Sequence, residues 1–212
     1  MEALRVIEKV AGKIAPGRAP SFIEAHVITA LEAISAGKRV GRIKLSEILG
    51  LSEGATRTLV RHLGNEGLIE VSKSGMVLSN FGEKVFSDLR SRISEEIEIP
   101  RSSLTLGSFN VAVLIRNAAR SVKYGVEQRD AAIKVGALGA TTLVFSRNKL
   151  TMPGVSEDIP QKIQPIQDAL ISKLKPREND VIIIGSANEK RAAEFGAKTV
   201  ALELLKSTIL AT

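Results

Sequence analysis

Apolar positions three and four residues apart predict helices at the start of the chain. Over residues 2–14, Leu4, Ile7, Val10 and Ala11 share one helical face. The segment Ala15-Pro16-Gly17-Arg18-Ala19-Pro20 breaks that helix. Ser21 caps a second helix with Glu24 three positions on, a capping-box arrangement, and Phe22, Ala25, Val27, Ile28, Leu31 and Ile34 carry its apolar stripe to about Ser35. A short helix over residues 45–49 stops at Gly50, and Ser52 offers an N-cap oxygen to a helix from Glu53 to Asn65. There Thr56, Leu59, Val60 and Leu63 form an inner stripe, with Ser52, Ala55, Arg57, Thr58, Arg61 and His62 toward the other side. Residues 68–71 and 76–78 read as strands around a Ser72-Lys73-Ser74-Gly75 turn, and residues 40–43 allow a small strand ahead of them.

Past Ser79, Phe81, Val85, Phe86, Leu89, Ile93 and Ile97 recur near heptad spacing and predict one helix over residues 80–98, ended by Pro100. It would be about 28 Å long at 1.5 Å per residue. Two uses fit: a linker that spaces a dimer, or a helix whose second half packs on the C-terminal domain of the same chain. Beyond Pro100-Arg101-Ser102-Ser103 the pattern turns mixed. Strands are expected at 109–115, 140–145, 149–152 and 181–185. Helices are expected at 127–135, at 159–174 with Pro165 inside, and at 188–195. Residues 199–205 fit strand or helix. The order β-α-β-β-α-β with a trailing element predicts a two-layer α+β domain of the split β-α-β kind.

The run LSEILGLSEGATRTLVRHLGNEGLIEV with its SKSG turn resembles the winged helix-turn-helix of transcriptional regulators. The resemblance implies duplex DNA as partner. Small or hydrogen-bonding residues and two arginines on the Glu53–Asn65 helix suit a major groove. Arg57, Thr58, Arg61 and His62 are the expected contacts there, Lys44 and Ser52 would meet phosphate, and Lys73 would reach the DNA from the wing. The whole chain also resembles archaeal two-domain winged-helix proteins whose C-terminal domain has no assigned activity. In the second half that likeness rests on GVEQRDAAIKVGALGATTLVF and carries over no catalytic residue. The expected division is an N-terminal helix and linker (1–20), a winged helix (21–79), a connecting or dimerisation helix (80–100) and an α+β domain (101–212).

Charge sharpens this picture only in part. The formal net charge is +7 and the sequence pI about 9.8, which suits a polyanionic partner. Yet residues 1–100 hold 14 Lys and Arg against 13 Asp and Glu, whereas residues 101–212 hold 16 against 10. The case for DNA therefore rests on the Arg57-Thr58-Arg61 face and Lys73 rather than on overall basicity. An aromatic content of 3% leaves little for stacking on single-stranded bases, which favours duplex.

Candidate chemistry is sparse. With no cysteine and only His26 and His62, no metal site, cofactor or Ser-His-Asp triad is expected. No phosphate-loop, GxGxxG, HExxH or GxSxG motif occurs, so the chain reads as a non-enzyme. Three clusters in the second half could hold a small anionic effector: Arg116-Asn117 after a strand, Arg129-Asp130 near a helix start, and Gly185-Ser186 at a strand-to-helix turn. The N-terminus carries acidic residues without a long apolar core, and no apolar run approaches the ~20 residues of a membrane helix, so a cytoplasmic location is expected. The reading is a homodimeric DNA-binding regulator whose second domain senses a small ligand or dimerises. The alternatives are a protein-protein assembly module and an enzyme with an anion-binding second domain.

Overall fold

The structure is a computed structural model that describes residues 1–12, 19–37, 39–154 and 164–210. The break expected at residues 15–18, the basic Lys38 and the start of the helix expected from Ile159, with Ile163, lie outside the described residues. The chain divides into two compact units, residues 1–89 and 90–212.

The first unit holds α1 (Glu2–Ala11), α2 (Glu24–Ala36), α3 (Arg42–Leu49), α4 (Glu53–Asn65), strands β1 (Ile69–Ser72) and β2 (Gly75–Leu78), and α5 (Asn80–Arg90), whose last residue falls in the second unit. Leu4, Ile7 and Val10 of α1 are buried, and α1 packs on α2 and α4, so the N-terminal helix is part of this core. Leu31, Ile34, Leu45, Leu49, Leu59, Leu63, Leu68 and Met76 complete it. The N-terminus of α2 differs from expectation. His26 Nδ1, not Glu24, accepts the Ile23 N–H at 3.1 Å. Ser79 caps α5 as expected, its Oγ accepting the Gly82 N–H at 2.9 Å. Gly82 is required there, since a Cβ would come within 1.9 Å of the Leu68 carbonyl oxygen.

The predicted helix through residue 98 stops at Arg90. The following backbone is captured by a strand. Ser94 N–H donates to the Leu114 carbonyl at 2.9 Å, Arg116 N–H donates to the Arg92 carbonyl at 2.9 Å, and Ile97–Glu98 form β3. Ile93 and Ile97 thus belong to a sheet, not to a dimer helix.

The second unit continues with β4 (Phe109–Ile115), a 3-10 turn (Ala119–Ser121), α6 (Val126–Lys134), β5 (Gly139–Ser146), β6 (Lys149–Thr151), α7 (described over Gln164–Leu174), β7 (Val181–Ala187) and α8 (Lys190–Leu210). The element order matches the expected β-α-β-β-α-β pattern with a trailing helix, and residues 199–205 resolve as part of α8. The sheet order is β3-β4-β7-β5-β6, antiparallel throughout, with β7 between β4 and β5. That insertion splits the β4-α6-β5 unit. Because successive strand residues face opposite sides, β7 serves both. Ile182 and Ile184 pack with Leu170 and Leu174 of α7, while Gly185 lies under α8. The α+β class holds, and the structure adds α7 as cover on the face opposite α6 and α8.

Candidate nucleic-acid interface

Local sequence sets the geometry of the first unit. Gly50 ends α3 in the left-handed region (φ 66°), and Leu51 N–H returns to the Ser46 carbonyl at 3.2 Å. Ser52 Oγ accepts the Ala55 N–H at 3.2 Å and starts α4. Thr56, Leu59, Val60 and Leu63 turn inward as the periodicity requires, leaving Arg57 and Arg61 exposed. β1 and β2 form a hairpin in register Ile69–Leu78 through Ser72–Gly75, with Lys73 and Ser74 at its tip. Val40 pairs with Met76 through backbone bonds of 3.2 and 2.9 Å, which holds residues 39–42 against the wing.

Between α4 and the wing runs an open groove of about 650 Å³. Val40, Val60 and Met76 give it apolar lining, and Arg42, Arg57, Arg61 and Lys73 bring four cations to it. No carboxylate is among its described lining residues; Glu53 lies in a smaller adjoining cleft with Arg42 and Arg57. A concave strip of one sign of charge focuses field lines and attracts a polyanion.

Of the residues expected from sequence, Arg57, Arg61 and Lys73 meet in this groove. Ser52 is exposed at the start of α4 and spends its oxygen on the cap. Thr58 is half-buried and donates its hydroxyl to the Gly54 carbonyl at 3.1 Å. Lys44 is exposed on α3, pairs with Glu47 at 3.1 Å, and does not line the groove. His62 must be corrected. It is 3% exposed, and its Nδ1 lies 2.8 Å from the Val10 carbonyl of α1, with the ring edge-on to Phe22. Its position in α4 turns it toward α1 and away from any groove.

Two arginines were missed. Arg42 lines the groove from the first turn of α3. Arg39 hydrogen-bonds Ser72 and Ser74 at the wing turn. Their signal was Val40, a lone apolar residue between basic ones, which marks the short strand that brings both to the wing.

In the second unit most of the expected ligand residues have internal work. Asp180 is 2% exposed and accepts from Arg116 Nη1 at 2.6 Å, Asn117 N–H at 2.9 Å and Arg177 N–H at 2.8 Å. Arg116 and Asn117 therefore secure a buried carboxylate. Gly185 is glycine because a Cβ would come within 2.3 Å of the Ala193 carbonyl oxygen of α8. Ser186 is buried and donates to Asn110 Oδ1 at 2.8 Å, so that turn offers no anion cradle. Arg129 and Asp130 pair with each other at 2.9 Å on the outer face of α6. Arg129 also lines a shallow depression of about 250 Å³ with Tyr124, Gly125 and Thr142. The Thr142 hydroxyl has no hydrogen-bond partner among the described residues. Those residues also hold no cluster of three or more potential metal ligands.

Helix-turn-helix, wing and basic groove, followed by a five-stranded α+β domain, define a two-domain winged-helix protein. Residues 27–93 match the family model of the CggR N-terminal DNA binding domain, and residues 106–204 match a domain of unknown function, DUF4443. Among solved structures, a hypothetical protein from Pyrococcus horikoshii OT3 is 27% identical with a TM-score of 0.71, the match covering 89% of this chain and 96% of that one. No curated protein matches the chain. No helix among the described residues is long and apolar enough to cross a membrane.

Proposed function

We propose that the chain is a transcriptional regulator that binds duplex DNA through α4 and the wing. The convergence of Arg42, Arg57, Arg61 and Lys73 on one groove, with no carboxylate among its described lining residues, carries this reading. The match of residues 27–93 to a DNA-binding domain supports it. Arg57 and Arg61 enter the major groove with α4. Arg42 and Lys73 meet the flanking phosphates, and Arg39 stiffens the turn that presents Lys73. Each phosphate contact releases counterions, so affinity falls steeply with salt.

The second domain serves to pair two chains. A small anionic effector beside Arg129 is the second reading, supported by the depression there and by the unpartnered Thr142 hydroxyl.

Fluorescence anisotropy of a mixed-sequence duplex across a salt series tests the DNA reading. Wild type is expected to bind with a clear salt slope. Arg42→Ala with Lys73→Ala is expected to lower the slope by about two, and Arg57→Ala with Arg61→Ala to weaken binding at every salt concentration. Equal binding by wild type and both double variants at every salt concentration would overturn the groove assignment. For the effector, a thermal-shift screen of small carboxylates and phosphates is decisive, since a ligand raises the midpoint by mass action and must also change DNA affinity by the reciprocal factor.

A further inference from the structure

The outer face of α6 is unusual for a surface helix. Gln128, Ala131 and Ala132 face the sheet and α8. At 100° per residue the opposite face carries Val126, Arg129, Asp130 and Ile133. Val126 and Ile133 are 46% and 48% exposed. Leu106, 58% exposed, extends this surface, lying with the Arg129 stem against Gly139. Exposed apolar side chains grouped in this way mark an interaction surface more often than an idle one.

The arrangement on that face identifies the occupant. Val126 and Ile133 lie equally far from the midpoint between residues 129 and 130. Arg129 and Asp130 straddle the same midpoint with opposite charges, 2.9 Å apart. An antiparallel second copy, related by a two-fold axis through this point, places Val126 against the partner's Ile133. It also places Arg129 against the partner's Asp130. The pattern is complementary to itself, which an isologous interface requires. We infer that the α6 face, with Leu106 at its flank, is the surface through which two copies of this chain pair in solution. The ion pair now closed within each chain reopens across the axis into two intermolecular pairs, and the apolar residues on either side exclude water from them.

The inference deepens the pairing role given to the second domain. Its test reads oligomeric state and is separate from duplex binding. Sedimentation of the full-length chain is expected to show a dimer. Ile133→Glu, Arg129→Asp and Asp130→Arg should each raise the dimer dissociation constant by more than about tenfold, the last two by facing like charges across the axis. The swap Arg129→Asp with Asp130→Arg should restore the dimer. So should mixing the two single variants, because Asp at 129 then faces the partner's new arginine. A thermal midpoint within a few degrees of wild type shows that each variant still folds. A wild-type monomer overturns the inference, and so does a dimer that withstands all three substitutions. So does a swap that fails to recover pairing. Loss of duplex binding in the Arg57 and Arg61 variants, with the dimer intact, bears on the groove alone.

Discussion

His62 Nδ1 lies 2.8 Å from the carbonyl oxygen of Val10, and this contact joins α4 to α1. The Nδ1–H tautomer donates to that oxygen, and the ring edge meets Phe22 with centroids 5.5 Å apart. The imidazole therefore serves the fold. His62→Ala is expected to cost about 2–4 kcal/mol, from the buried ring volume and the orphaned carbonyl. The neighbouring Arg61→Ala, on the exposed face, should stay within about 0.5 kcal/mol. Urea unfolding of the two variants measures the contrast. Equal stability of both would place His62 outside the core.

Asp180 sets a second test. A carboxylate 2% exposed is held by one guanidinium and two backbone N–H groups. Removing a partner from a buried charge costs more than the pair contributes. Arg116→Ala should lower stability by about 1.5–3 kcal/mol through the lost charge-assisted bond. Asp180→Ala should cost about 2–5 kcal/mol, because the guanidinium and two backbone N–H groups lose their acceptor. Both are read as a shift of the denaturant midpoint. A stable Arg116→Ala variant that lost only binding of a small anion would return Arg116 to the ligand-binding role expected from sequence.

These two residues show what sequence could convey and what it could not. In the winged helix, the signals that set local structure are themselves local. Gly50, the Ser52 cap and the stripe from Thr56 to Leu63 fixed α4 because each acts within one or two turns. The side of α4 taken by His62 depended on α1, fifty-two residues away, and no local pattern reports that. Residues 93 and 97 failed for a related reason. A spacing of four suits a helix nearly as well as it suits one face of a strand. The tie is broken by β4, whose edge takes the backbone bonds of residues 92–98. In the second unit, polar residues at strand ends looked like pocket residues. Asp180, which claims Arg116 and Asn117, is far from both in sequence.

Glu194 predicts a pH dependence. It sits on α8 near Lys198, Glu96, Lys190 and Glu98. Burial is the largest influence and pushes its carboxyl above the usual range, Lys198 opposes this, and Glu96 adds to it. The folded state therefore holds this proton more tightly than the unfolded chain. Between the ordinary glutamate pKa and the raised one, the folded state binds more protons, so the contribution of Glu194 to stability falls as pH rises through that window. Glu194→Gln removes the penalty. The variant should match wild type at pH values below the ordinary glutamate pKa and exceed it above the raised one. Thermal midpoints measured from pH 4 to 8 check the sign; a variant less stable at neutral pH would mean that attraction to Lys198 outweighs burial.

Two glycines on α4 connect fold and function. Gly54 and Gly64 lie within the helix on exposed positions, and nothing stands within 4 Å of where a Cβ would be at either one. Neither has a positive φ. Glycine in a helix costs about 0.5–1 kcal/mol relative to alanine, and no packing among the described residues accounts for that cost here. Gly64 lines the basic groove beside Arg57 and Arg61. If α4 seats against DNA along its length, the missing side chains let its backbone approach closely. Gly54→Ala and Gly64→Ala should then raise stability by up to about 1 kcal/mol each while weakening duplex binding. A purely structural role would move both quantities the same way. Denaturant midpoints and duplex anisotropy on the same preparations separate the two cases. Alanine variants that are more stable and bind duplex as wild type does would show that these glycines lie outside the contact surface, and would leave Arg57, Arg61 and the wing to carry the interface.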